Sequence, residues 1–520
     1  MSFYGQGFVS AVVVALIVWR LLKYWWYRRR LNKLPGPPSN FFLGHLLVAK
    51  LDPADLYDQS MGLTSMYERP RLMALWLATR GFALVYGADE NEAVLFNCLD
   101  KSAEYRQIEP WLGQGLITSN NPKWFHRRRL LTPTFHYDIL KAYMPIFNQQ
   151  SKIYLHMMAR TAGGQCQLDR HTTLCALDII YVTAPLQERK YDFFVDALIE
   201  LRDLLLERAR RPWLQVVKAL DYHIGVGKKI ERCLSVIHGF ADQVIQERHD
   251  YMKSVGGVDK FIRQQSANED DVDDDDDEDV SKRKLVFLDL LLQMEANGEL
   301  DRDEVAEETH TFMFAGHDTA ATATTWLIFL LAHHPNIQKK VQKELDDIFG
   351  DTDRDATPVD LAKMRYLECC RKEQLRLFPP VPFIVREVKE DLPLKNGLVI
   401  PGGTAAAVHV TASHREPKHW PDPLVYDPDR FLPENEKGRH PFAFIPFSCG
   451  SRNCIGQRFA KLEQKVMVSW LLRYFDVRPL DGLFDLRYSP MMVLKSRDGL
   501  RVQLTPRRAL SPRLLQQSAV

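Results

Sequence analysis

The run Phe447-Ser448-Cys449-Gly450-Ser451-Arg452-Asn453-Cys454-Ile455-Gly456 sets a thiol, a guanidinium and two glycines side by side, just ahead of Gln457, Arg458, Phe459 and Ala460, which read as a helix starting near Ile455. A cysteine at a helix N-terminus faces exposed backbone N–H groups and the positive end of the dipole, which predicts a depressed thiol pKa and a thiolate at Cys454. Gly450 and Gly456 let the backbone bend tightly and approach something flat, and Arg452 adds a fixed cation. Thiolate, clearance and guanidinium together suit one axial bond to haem iron with the arginine on a propionate. Cys449, Cys369 and Cys370 read as structural thiols.

Such a loop needs rigid elements around it. The longest helical candidate runs over 301–334, with acidic first turns, an apolar second half and Pro335 as terminator. It carries Ala315-Gly316-His317-Asp318-Thr319. A glycine at mid-helix and a threonine hydroxyl bonding the carbonyl one turn back predict a ladder that opens beside the iron and admits water. Thr319 and Asp318 are then the candidate proton donors, while His317 reads as a packing residue. A helix over 360–378 carries Glu373-x-x-Arg376, by itself an ordinary ion pair. Another begins at Trp124 and puts Trp124 and Arg128 on one face.

Amphipathic runs over 137–160, 191–209, 228–253, 285–297 and 336–349 supply further helices. Leu72–Leu77, Ala83–Tyr86 and the segment 381–412, with its Pro401-Gly402-Gly403 turn, read as strands. The fold class is therefore mainly α with a smaller β region, and no internal repeat is visible.

The pattern F-x-x-G-x-R-x-C-x-G resembles the haem-binding loop of the cytochrome P450 monooxygenases, and further motifs in the same chain order extend the resemblance over most of 31–507. It implies the cytochrome P450 fold, a long central helix over a haem, with Cys454 as axial iron ligand. It places Trp124, Arg128, Arg386 and Arg452 at the haem propionates, Thr319 and Asp318 at oxygen activation, and Glu373, Arg376 and Arg430 of Pro428-Asp429-Arg430-Phe431 in a buried network. Glu109–Thr118, Leu131–His136 and Phe312–Thr319 resemble the family-four branch of fatty-acid omega-hydroxylases.

That likeness implies a monooxygenase inserting one oxygen atom from O2 into a fatty acid or related lipid, in a pocket lined by Trp111, Leu112, Leu116 and the Phe314-Ala315 face. Two departures stand out. The branch carries Glu, esterified to a haem methyl, where this chain has Ala315, so heme b is expected to be noncovalent apart from the Cys454 bond. About ten residues are also missing after Ile180, beside the channel lid. Other readings are a reductase-independent thiolate-haem isomerase or dehydratase, against which Asp318 and Thr319 argue, and a degenerate haem-binding protein. No nicotinamide or flavin fingerprint occurs, so electrons from NADPH must arrive through a reductase (NADPH-cytochrome P450 reductase), with cytochrome b5 as a further partner. Arg127, Arg129, Arg458, Lys461 and Lys465 are the expected docking face.

The 520 residues carry 68 basic and 67 acidic side chains, which excludes a nucleic-acid binder driven by a global basic field. Ten of the eleven residues from Glu269 to Asp279 are acidic, so the rest of the chain is distinctly basic. This tract reads as a solvated surface loop over 265–284. Eight irregularly spaced cysteines fit neither a disulfide framework nor a zinc module. From Phe3 to Trp19, 17 residues carry no charge. As a helix they span about 26 Å, and snorkelling of Arg20 and Lys23 makes up the difference to a hydrocarbon core of roughly 30 Å. Trp19, Tyr24, Trp25, Trp26 and Tyr27 form an aromatic belt, and Arg28-Arg29-Arg30 end the segment on the cytosolic side. The expected organisation is an anchor over 1–30 in the endoplasmic reticulum membrane, a Pro-rich link over 31–38, a cytosolic body over 39–510 and a tail over 511–520.

Overall fold

The computed structural model describes residues 2–509 apart from 51, 182–186, 188–191, 210–217, 258–259, 261–286, 484 and 491. The acidic tract, most of the shortened turn after Ile180 and the tail 511–520 lie outside the described residues. The central helix, Arg302–His333, begins on a capping box in which Asp301 accepts from the Glu304 amide and Glu304 accepts from the Asp301 amide. Pro335 then starts the next helix, because its ring fits only a first turn. The run Trp326–Leu331 is at most 1% exposed and forms the middle of the largest apolar cluster. Helices Met144–Ala159, Leu168–Tyr181, Arg365–Leu377 and Gln457–Tyr474 pack around it.

Gly316 does something other than expected. The helix is continuous across 315–319 and no opening of the ladder is present. A Cβ on Gly316 would stand 2.5 Å from Ile180 Cδ1, so the missing side chain admits the neighbouring helix. The helix predicted over 360–378 is two, Pro358–Lys363 and Arg365–Leu377. Between them the buried Met364 leaves helical dihedrals, and its carbonyl accepts from Lys465 Nζ at 3.1 Å.

One four-stranded sheet stands to the side. Leu72–Leu77 and Arg80–Val85 form a hairpin, the second pairs in parallel with Thr404–His409, and that pairs antiparallel with Phe383–Val388. The inner strand Thr404–His409 is buried on both faces, which explains its lack of polar alternation.

The N-terminal helix, Ser2–Leu31, carries Arg28-Arg29-Arg30 in its last turn and ends one residue beyond them. Residues 10–31 are long and apolar enough to cross a membrane by length and composition. The last turns belong to the body. Tyr24 and Tyr27 meet Trp76 edge-on at 5.9 and 5.6 Å, the Arg28 guanidinium lies 4.6 Å from the Trp76 ring and donates to the Ser39 and Asn40 carbonyls, and Leu31 is fully buried. The expected belt is therefore divided: Trp19, Trp25 and Trp26 are exposed, while the two tyrosines are packing residues. The proline link then runs beside the first strand, with the Ala74 amide donating to the Pro35 carbonyl at 2.7 Å.

Candidate active site

The cysteine loop is held by the Cys454 amide donating to the Phe447 carbonyl at 2.9 Å and by Gly450 at φ 75°, a left-handed turn that suits a residue without Cβ. The following helix starts at Gln457 with Gly456 as its cap, so Cys454 stands ahead of the helix and not in its first turn. Among eight free cysteines it alone is exposed. Its surface opens into a cavity of about 600 Å³ between the loop and the central helix, not to bulk water. Burial therefore holds the thiol above its ordinary value, against the opposing pull of the Gly456 amide and Arg128. This reverses the depressed pKa expected from sequence: the protein groups alone do not stabilise the thiolate, and a cation at Sγ would.

Across the cavity stand Phe314, Ala315, Gly316, Thr319 and Ala320 of the central helix. The cavity edge carries basic groups. Arg452 donates through Nη2 to the Ser119 carbonyl at 2.9 Å and lies 4.1 Å over the Trp124 ring, while its Nε and Nη1 have no partner. Arg386, 1% exposed, has an unpartnered Nε. Lys101, which bridges backbone to backbone with Arg386, also lines the cavity. Burial, then the Arg386 and Arg452 charges, push its ammonium well down, and burial with Arg386 pushes Arg452 down to about 9. Buried cations that lower one another and keep spare N–H groups form a site for a dianion, and the haem propionates fit it. Arg128, expected there too, is spent on the loop itself: its two Nη atoms donate to the Asn453 carbonyl and Oδ1 at 2.8 and 2.7 Å.

Thr319 lines the cavity and donates to the Ala315 carbonyl at 2.8 Å. Asp318 faces away from it, ion-paired with Lys495 of the C-terminal hairpin formed by Tyr488–Ser489 and Lys495–Ser496. Burial raises the Asp318 carboxyl, but Lys495, His317 and Arg202 outweigh that and keep it below the usual range. His317 Nδ1 lies 2.5 Å from the Met313 carbonyl. Glu373 and Arg376 form a fully buried two-bond pair at 2.7 Å, and Arg430 Nε stands 3.6 Å from Glu373. Arg376 also donates to the carbonyls of His414, Pro423 and Val425, which fixes the irregular segment 414–431, a meander leading toward the cysteine loop.

Other placements differ from expectation. Leu116 lines the cavity, but Trp111 and Leu112 lie behind its wall in a separate apolar cluster, Trp111 packed 4.8 Å from the Phe314 ring. Arg127 is 1% exposed and paired with Glu304 and Glu308. Lys465 is 4% exposed and bound to the Leu361 and Met364 carbonyls and to Glu368, so neither belongs to a docking face. Arg129 and Arg458 are exposed, and Lys461 is paired with Glu368. Lys101, Glu308 and Lys495 were not anticipated. Glu308 was findable, since with Phe312, Ala315 and Thr319 it recurs at helical spacing on one face.

The cytochrome P450 family model matches residues 34–502. Cytochrome P450 4c3 of Drosophila melanogaster is 37% identical over 517 residues, covering 96% of this chain and 94% of its own. Cytochrome P450 4V2 of Homo sapiens is 37% identical over 513 residues, covering 96% and 95%. In three dimensions the crystal structure of the cytochrome P450DA heme domain aligns with a TM-score of 0.75 at 22% identity, over 91% of this chain and 98% of that one, a likeness of fold.

Proposed function

From the premise that this chain belongs to the cytochrome P450 family and is a P450 monooxygenase, we propose that it hydroxylates a fatty acid or related lipid at or near the terminal carbon. The observation that carries the reading is the cavity itself. Leu116, Ile117, Phe312, Phe314, Met492 and Val493 make it apolar, and the Cys454 thiol stands at its wall. Such walls bury a hydrocarbon chain at roughly 0.8 kcal/mol per methylene. The family implies a haem-thiolate cofactor, which when bound supplies reductive activation of dioxygen and insertion of one oxygen atom into a C–H bond.

The chain's own residues have separable tasks in this reading. Cys454 would ligate the haem iron and Arg452, Arg386 and Lys101 would receive the propionates, with the Trp124 ring packed against the Arg452 guanidinium. Arg128 acts through Asn453 and holds the loop. Thr319 presents its hydroxyl at the cavity wall, and Asp318, one residue back and ionised against Lys495, connects that wall to the hairpin side for proton supply. Glu373, Arg376 and Arg430 keep the meander in place. Ala315 offers no carboxyl for an ester bond, so the haem is heme b held noncovalently; acid-acetone should extract it, and haem retained on the denatured chain would contradict this.

The body receives electrons from NADPH-cytochrome P450 reductase, with cytochrome b5 as an accessory donor, and is carried on the endoplasmic reticulum membrane by the N-terminal helix. The test is a carbon monoxide difference spectrum, then product analysis on a panel of fatty acids with reductase and NADPH. Terminal or near-terminal alcohols are expected; NADPH-independent turnover, or no hydroxylated lipid, would overturn the assignment.

A further inference from the structure

The loop 113–119 forms part of the cavity wall through Leu116 and Ile117, yet it has no regular structure of its own to hold it. What holds it is the first third of the central helix. Glu308 is fully buried, and its two carboxyl oxygens are divided between elements: Oε2 accepts from the Leu116 amide at 3.1 Å and Oε1 from Arg127 Nη1 at 3.2 Å. The preceding residue repeats the pattern one step outward, Glu307 accepting from the Gln114 amide at 2.9 Å and from Lys123 Nζ at 2.7 Å. Gly115 makes this approach feasible, because a Cβ there would lie 2.2 Å from Thr311 Oγ1 and 2.8 Å from the Glu307 carbonyl. At its far end the loop offers the Ser119 carbonyl to Arg452.

We propose that Glu308 is the positioning residue that sets this wall of the pocket, by tying the Leu116 amide to Arg127 through one ionised carboxylate. The proposal rests on reading the cavity as the lipid pocket, and it adds that the pocket's shape depends on the charge of a residue that touches no substrate. Facing Glu308 are Arg127 and Lys123 from the helix Lys123–Leu131, the Leu116 amide from the loop, and Glu304 and Glu307 from its own helix. Burial pushes its carboxyl up to about 7, Arg127 and the Leu116 amide opposing, so the charge is gained and lost in the neutral range. Once protonated, the group keeps one acceptor oxygen free of charge, and Arg127 retains Glu304 as its partner. The loop's amide then loses a charge-assisted acceptor.

The full-length holoenzyme in nanodiscs should be followed from pH 8 to pH 6 by hydrogen exchange, expressed as protection of the 114–119 amides, and by spectral titration with dodecanoic acid. Protection and affinity should fall together, by roughly fivefold, the factor separating a charge-assisted from a neutral hydrogen bond. E308Q should be flat across the range at the wild-type acid level. Protection in the wild type that does not change with pH, or an E308Q enzyme that keeps the wild-type response, would overturn the proposal. If the acid fails to bind while protection still responds, the lipid reading falls and the positioning role stands.

Discussion

Three basic side chains from distant parts of the chain, Lys101, Arg386 and Arg452, meet at one cavity edge, whereas Glu368, on the helix Arg365–Leu377 among Arg371, Lys461 and Lys465, shows the opposite balance. Burial raises the Glu368 carboxyl, but Arg371, Lys465 and Lys461 outweigh it and bring it down to about 2. A carboxyl lower in the folded than in the unfolded chain stabilises fully above its unfolded pKa, and the contribution disappears as the pH falls through the folded value. Glu368→Gln should therefore lower unfolding free energy at pH 7 by on the order of 2–3 kcal/mol, a loss that fades toward pH 2. Denaturant titrations at several pH values check this. Arg376→Leu should cost about 3–5 kcal/mol by stranding Glu373 and three carbonyls, with haem content falling alongside. Residue type and local spacing made Cys454 and Arg452 legible in the sequence, whereas Glu373 and Arg376 read there as an ordinary ion pair and only the family resemblance put them in a buried network. Lys101 was not legible, because nothing near it in the chain announces Arg386. The Lys495 partner of Asp318 lies 177 positions away, beyond any motif.

Elements were legible where burial imposes a period on nearby residues: the central helix and the helix Gly227–Ser254 lie within a residue or two of their expected ends. The break at Met364 and the inward turn of Arg127 were not, since both depend on what packs from outside. The same distinction refines the docking face. Arg129 and Arg458 are exposed, and reversing both charges to Glu should slow the first electron transfer from reductase at low salt. The effect should vanish near about 0.5 M salt, where screening acts over a few ångströms; an unchanged low-salt rate measured by stopped flow would exclude this face. Arg127→Glu is a different experiment. It would place a fourth carboxylate among Glu304, Glu307 and Glu308, at a buried position against the fully buried Glu308, and soluble folded protein is not expected.

At the scale of the molecule, the helix long and apolar enough to cross a membrane and the body overlap in residues 24–31. Removing residues 2–23 should abolish sedimentation with vesicles and leave the melting temperature nearly unchanged. Removing 2–31 should lower it by several degrees, because the loss of Tyr24, Tyr27 and Arg28 uncovers Trp76 and the fully buried Leu31 is lost from the core. Thermal melts of the two truncations separate these outcomes. A boundary at residue 30 was the natural reading of three consecutive arginines, and only the third dimension shows that the side chain of Arg28 turns back onto the sheet.

This unbroken helix leaves no joint between the proposed anchor and the rest of the chain. A single span answers a thicker bilayer by standing more upright and a thinner one by leaning. With nothing to absorb the angle, the whole enzyme must lean by the same amount, so lipid composition would reorient the cavity relative to the headgroups as a compass needle turns its card.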